Sequence, residues 1–245
     1  MTLPDAHTLY DVTDVGWPPA SRVSHGPWTI REGKGGGGRV SAATAHAPVS
    51  TADIPLAEAE MRSFGQSPFF MIRDGDEPLD AQLSARGYVI IDPVNLYAAH
   101  SRDIATERPA PVTAFTVWPP LQVQREIWAG GGIGPGRLAV MERAPCPKTT
   151  LLGRLDDRPA GTVFVGSANG CAMIHALEIA PEARRRGLAS DLTRAAAFWA
   201  LDNDLDVLSL VTTRANAAAN ALYTSLGMTL VGQYHYRILP EDKRP

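Results

Sequence analysis

The chain has 245 residues, 44% apolar and 20% charged, with a formal net charge of -3. That is enough apolar chain for one large or two ordinary folded units without covalent staples, and it gives no broad positive field for nucleic acid. Its two cysteines, Cys146 and Cys171, lack C-x-x-C or histidine company, which indicates neither a disulfide scaffold nor a structural zinc site and fits a reducing compartment; no metal is expected.

The first thirty residues hold Asp5, His7, Asp11 and Asp14 and no apolar run of export or membrane length, so a cytoplasmic protein without a membrane partner is expected. The segment to about Gly26 shows no sustained period and reads as an extended lead-in. Trp28–Arg31 reads as a strand and Arg39–Ala43 as its return. Gly35–Gly38 between them reads as a flexible hairpin loop, since no G-K-[S/T] follows to make a phosphate cradle.

A helix is predicted over Pro55–Ser63, a strand over Phe69–Arg73, a helix over Leu79–Ala85 and a strand over Tyr88–Ile91. Proline and charge between residues 103 and 113 interrupt any core pattern and mark a linker. The chain is therefore divided into a domain over residues 1–110 and a second over 111–245. In the second, Val112–Val117 reads as a strand, Leu121–Trp128 as a helix, Gly130–Gly136 as a mobile pocket wall, and Leu138–Met141 and Thr162–Val165 as strands around the Asp156–Gly161 turn. Cys171–Ile179 reads as a long apolar strand, followed by a helix over Leu188–Leu201, a strand over Val207–Val211, a helix over Asn216–Leu226 and a strand over Leu230–Ile238. This order predicts a mixed α/β fold with helices covering a central sheet. Leu83–Tyr88 and Tyr223–Met228, each ahead of a strand, echo one another and hint at internal duplication.

The run Ala183-Arg184-Arg185-Arg186-Gly187-Leu188-Ala189-Ser190 carries the clearest chemistry. It ends where an amphipathic helix begins, so free amides and the positive dipole end face the loop. Gly187 lets an oxygen-rich group approach the backbone, and the arginines add charge. A pyrophosphate fits such a loop, and a solvated basic turn is the plainer alternative.

Residues Met173 through Ala189 resemble the acetyl-CoA motif of GNAT-family N-acetyltransferases, whose signature R/Q-x-x-G-x-G/A reads here Arg184, Arg185, Arg186, Gly187, Leu188, Ala189. Asn216, Ala219 and Leu222-Tyr223-Thr224-Ser225-Leu226-Gly227-Met228 resemble the family's N-x-x-A-x-x-L-Y-x-x-L-G-F segment, with methionine for the final aromatic. The resemblance spans roughly residues 112–240. It implies the GNAT fold, a twisted, mostly antiparallel mixed sheet flanked by helices, duplicated in tandem with a degenerate first half that binds no cofactor. It implies transfer of an acetyl group from acetyl-CoA by direct attack of a primary amine in a ternary complex. The pantetheine arm would pair with Leu177 and Ile179 beside Glu178. The pyrophosphate would rest on the amides from Arg184 through Ala189, next to Ser190, with Asn216 supporting the cofactor side and Tyr223 acting as general acid.

The base stays open. Met173 stands where some family members carry a glutamate. On regular alternation His175, Leu177 and Ile179 share one face and Ala176 and Glu178 the other, so His175 is one candidate, directly or through water, and Glu178 a second. Tyr234 and Tyr236 share a strand face opposite His235 and Arg237 and are a lead for acceptor binding. The acceptor expected is a small-molecule amine or a peptide N-terminus, and the protein a monomer or homodimer. A non-catalytic acyl-CoA sensor is the competing reading; it would need neither Tyr223 nor a base. A hydrolase is disfavoured because Gly166–Gly170 fails the G-x-S-x-G spacing.

Overall fold

The computed structural model describes residues 2–242, 244 and 245. The first half runs α1 (Ala6–Gly16), β1 (Ser21–His25), β2 (Trp28–Glu32), α2 (Gly38–Ser41), β3 (Thr44–Ala45), α3 (Ile54–Ser63), β4 (Phe69–Ile72), α4 (Glu77–Ala85), β5 (Val89–His100) and α5 (Ser101–Ile104). The second runs β6 (Ala114–Val117), α6 (Gln122–Gly130), α7 (Pro135–Arg143), β7 (Lys148–Leu155), β8 (Arg158–Ala168), β9 (Cys171–Ile179), a 3-10 turn (Pro181–Ala183), α8 (Leu188–Asp202), β10 (Val207–Thr213), α9 (Ala217–Ser225) and β11 (Thr229–Ile238).

One eight-stranded sheet organises the molecule in the order β4-β11-β5-β10-β9-β8-β7-β6, and β1-β2-β3 form a small second sheet. Only β9 and β10 run parallel within the large sheet; its other neighbours are antiparallel. One face buries Leu188, Leu192, Ala196 and Tyr223 from α8 and α9 against Val163, Ile174 and Leu208. The other buries Leu9 and Val12 of α1 against Leu96, Met173 and Tyr234. No helix among the described residues is long and apolar enough to cross a membrane.

Several predicted elements change identity. The lead-in is helix α1, capped by the Asp5 side chain, which accepts from the Thr8 amide at 2.8 Å. Its buried stripe includes Thr13 and Gly16 beside Leu9 and Val12, so small and polar residues complete a face that apolar counting misses. Arg39–Ala43 is no return strand: Gly38–Ser41 turns helically, and β2 pairs instead with β1 and β3. Leu138–Met141 belongs to α7, whose Pro135 starts the helix. The strand paired with β8 is β7.

Nor does the first half build a second sheet of the same size. It lends β4 and β5 to the shared one, with β5 between β11 and β10. Residues 1–110 and 111–245 thus meet inside one hydrogen-bonded sheet. The echo noted in sequence lies in the units β4-α4-β5 and β10-α9-β11, each of which receives a strand of the other between its own two.

Asp80 of α4 ties this intertwined region together. Arg237 of β11 donates to both its carboxylate oxygens at 2.8 Å, His235 approaches at 2.7 Å, and Arg237 also reaches the Tyr88 carbonyl at 2.8 Å. The Arg237 side chain is only 8% exposed, so it depends on this partner. Hydrogen bonding from Arg237, then from His235, holds the Asp80 carboxyl below its ordinary value. Its contribution is present above the unfolded pKa of 3.8 and lost as pH falls through the folded one. Asp80→Asn should cost about 1–3 kcal/mol in urea unfolding at neutral pH, and the difference from the parent should shrink as the titration is repeated in increasingly acidic buffer.

Candidate functional site

The site begins where two parallel strands part. β9 and β10 pair from Cys171 with Val207 to Ile174 with Leu210 and no further, although the strands continue to Ile179 and Thr213. On its other edge β9 still pairs with β8, but Phe164 faces His175 and Thr162 faces Glu178, so Ala176 and Leu177 together oppose Val163. This is a β-bulge, with Ala176 at φ +50°.

The bulge reverses the alternation that regular strand geometry predicts. Leu177 packs with the α8 cluster, as do Ile174 and Ile179, whereas Ala176 packs with Trp128 and Phe164 on the opposite face. His175, stacked on Trp17, shares that opposite face. Glu178 does too, since a side chain at Gly131 would collide with it. His175 therefore does not share a face with Leu177 and Ile179.

A groove of about 910 Å³ fills the gap. Leu177, Glu178 and Ile179 line its β9 wall; Arg184, Arg185, Gly187, Leu188, Ala189 and Ser190 line one end; Asn216 and Tyr223 of the α9 region line the other wall. Gly187 adopts φ +91°, a left-handed conformation that glycine accepts without cost, and opens α8. Among the described residues no acceptor is found for the amides of Gly187, Leu188 and Ala189, which leaves a cluster of free donors at a helix start.

The three arginines separate. Arg184 donates to the Ile179 carbonyl and to Glu178, both at 3.0 Å. Arg186 turns away from the groove and grips Asp156 of the β7–β8 turn at 2.8 and 3.2 Å. Arg185 stays on the groove wall.

Asn216 caps α9 by accepting from the Ala219 amide at 3.1 Å. Tyr223 is 5% exposed, and burial pushes its phenol up to about 12, so it keeps its proton near neutrality. Asn220, unnoticed in the sequence, accepts from Asn95 at 2.7 Å and Tyr97 at 3.1 Å and donates to the Thr213 and Asn216 carbonyls. It fastens α9 to β5 and β10. Its one sequence signal is a polar residue within an apolar helical stretch.

On the α1 face lies a second cavity, of about 390 Å³, sharing Ala176, Val211 and Thr212 with the groove. Gly36–Gly38, read as a hairpin loop, form part of its wall, as do Ile133 and Arg137 from the second glycine-rich stretch, and Tyr234 and Tyr236. His175 lies behind this wall, 2% exposed. Its Nδ1 sits 3.0 Å from Arg39 Nη1. A guanidinium can only donate, so Nδ1 accepts and the ring is neutral.

Burial, then the Arg39 charge, holds the His175 pKa well below 6.5. The unfolded chain takes up a proton there as pH falls through 6.5 while the folded chain does not, so stability drops over that range down to the folded pKa. The imidazole resonances of His175 should not titrate between about pH 8 and 6 by NMR. Replacing it by Phe should flatten the acid fall in stability by roughly 1.4 kcal/mol per pH unit.

Among the described residues there is no group of three or more potential metal ligands. Residues 115–228 match the sequence model described as the acetyltransferase (GNAT) family. An uncharacterized N-acetyltransferase of Bacillus subtilis (strain 168), YobR, is 25% identical over 248 residues, spanning 96% of this chain and 98% of that protein. A solved GCN5-related N-acetyltransferase from Kribbella flavida aligns with a TM-score of 0.74 at 21% identity, over 98% of this chain and 97% of that one. A functionally unknown conserved protein from Staphylococcus epidermidis ATCC 12228 aligns with a TM-score of 0.67 at 13% identity, over 93% and 96%. The likeness to the acetyltransferase (GNAT) family is thus carried by residues 115–228, and the solved structures share the fold over nearly the whole chain.

Proposed function

We propose that the protein transfers an acetyl group from acetyl-CoA to a primary amine, with the groove holding the cofactor and the smaller cavity the acceptor. The observation that carries this reading is the meeting of the two spaces at Ala176, Val211 and Thr212, where β9 leaves β10. The free amides at Gly187, Leu188 and Ala189 suit a pyrophosphate, and the edge of β9 beyond Ile174, unpaired with β10, suits an amide-bearing arm. Acetyl-CoA supplies an activated thioester: the amine nitrogen bonds to the acetyl carbon, the carbon–sulfur bond breaks, and the thiolate takes a proton.

Tyr223 is the group we assign to hold that last proton, because its buried phenol stays protonated and lines the groove. The amine must first lose its own proton. His175 is enclosed and occupied by Arg39, and Glu178 is paired with Arg184, so we assign this step to water in the open cavity rather than to either side chain. Arg186, committed to Asp156, is read as shaping the loop, and Arg185 as the free charge beside the pyrophosphate.

We further read residues 1–110 as a reduced counterpart of 111–245. The order β3-α3-β4-α4-β5 parallels β9-α8-β10-α9-β11, and a parallel bridge from Ala43 to Phe70 stands where β9 and β10 pair. At the start of α3, in the place of Gly187, stands Asp53, whose carboxylate accepts from the Ser50 amide and hydroxyl. A carboxylate there repels phosphate, so this half is assigned no cofactor.

Calorimetric titration with acetyl-CoA should give one site per chain and no comparable binding of ATP. Gly187→Glu should abolish that binding through charge and bulk, and unchanged affinity would remove the groove as the cofactor site. Tyr223→Phe should lower kcat at least tenfold while acetyl-CoA affinity stays within a few fold. Equal turnover would eliminate it as the acid.

A further inference from the structure

The 390 Å³ cavity is at the small end of small-molecule sites, and its charges are unevenly matched. Three arginine side chains line it, Arg39, Arg137 and Arg244, against two carboxylates, the Asp92 side chain and the terminal one of Pro245. Asp92 is already engaged at the rim, where Arg244 reaches both its oxygens at 3.3 Å. Among the described residues no carboxylate pairs with Arg39 or Arg137.

Arg39 is nonetheless held in place. Its guanidinium lies 5.0 Å from the Trp17 ring centroid, and its one hydrogen-bonding partner among the described residues is the neutral His175. Both hold a cation without cancelling its charge. Arg137 lies across Gly37, where a β-carbon would come 3.3 Å from its Nε. Partial desolvation there, then the Arg39 charge, lowers its pKa, as two like charges converging on one space would. The tyrosines cannot serve as counterions, because burial raises the pKa of both Tyr234 and Tyr236. An arginine presents a fork of donors that fits a carboxylate or phosphate edge.

Taking the smaller cavity as the acceptor site, as above, we propose that the acceptor amine also bears an oxyanion, a carboxylate or a phosphate, which Arg39 and Arg137 bind while the amine points past Ala176 toward the groove. Phe69, Ile133, Tyr234 and Tyr236 give the body of such a molecule an apolar surround. Amines whose remaining charge is positive, such as polyamines and lysine side chains in basic peptides, are disfavoured by the same two guanidinia.

The test is calorimetric binding of acetylated products in the absence of cofactor, using matched pairs. The N-acetyl derivatives of glycine, alanine, leucine, phenylalanine and glutamate would each be compared with the corresponding carboxamide, and N-acetylphosphoethanolamine with N-acetylethanolamine. The expected result is at least one pair in which the anion binds tenfold or more tightly; the carboxylate and phosphate arms tell the two sources apart. Arg137→Gln, at an exposed position, should weaken that anion about tenfold and leave its neutral counterpart unchanged. Arg39→Gln should do the same, with Arg39→Lys restoring part of the preference. No anion preference in any pair, or a preference that survives both glutamine variants, overturns the proposal. Acetyl-CoA titrated in parallel keeps the two readings separate: cofactor binding without anion preference sinks this inference alone, and anion preference without cofactor binding sinks the assignment of the groove.

Discussion

A parallel strand pair that opens halfway leaves two backbone edges without partners, and the rest of the molecule is arranged around that deficit. β9 departs through a left-handed residue, Ala176, and keeps its other edge on β8. β10 has no such neighbour within residues 115–228 beyond Leu210. What holds it is β5, whose Leu96, Asn95 and Val94 pair with Val211, Thr212 and Thr213. The β-branched run at 211–213 suits a strand that must stay extended with one edge bare. A segment from the first half of the chain is thus a condition for the groove in the second, and residues 115–228 alone would expose both edges of β10 beyond Leu210.

The same arrangement interlocks the two parts of the chain. Each of the two βαβ units inserts its last strand between the strands of the other, so neither can be removed without opening the sheet. The sheet therefore needs β4, α4 and β5 whatever else the first part of the chain does, whereas the strand before α3 is only the two residues of β3. The Asp80–Arg237–His235 cluster lies between the interlocked units and couples them.

Much of this was legible in the sequence. Cys171–Ile179, the helix from Leu188 and the closing strand were readable because each is long, strongly periodic and punctuated by turn residues such as Asn169-Gly170 and Gly187. α1 was hidden because Thr13 and Gly16 complete its buried face. The apolar run Leu138–Met141 fits strand and helix alike, and only Gly134-Pro135 marked it as helical. The site was legible by motif but not by facing: one bulge residue carries Glu178 to the face of His175, and nothing in Ala-Leu-Glu-Ile announces it. Nor could spacing reveal that Arg186 answers to Asp156, thirty positions away. Long-range electrostatic partners are set by the fold, which the local pattern does not encode.

The enclosed histidine acquires a purpose in this setting. An imidazolium packed against Arg39 would add a second positive charge, itself enclosed, beside the first, so only the neutral ring is compatible with the contact. A carboxylate in its position would hold Arg39 more tightly but would neutralise it. Neutral His175 with the Trp17 face does something different: it fixes the guanidinium's orientation and leaves its charge directed into the cavity. The two spaces that meet at Ala176 then offer positive character in different forms, one as free amides and a protonated phenol, the other as unspent guanidinium charge. A molecule whose amine must reach the junction is best anchored by its far end, and that end is where Arg39 and Arg137 stand.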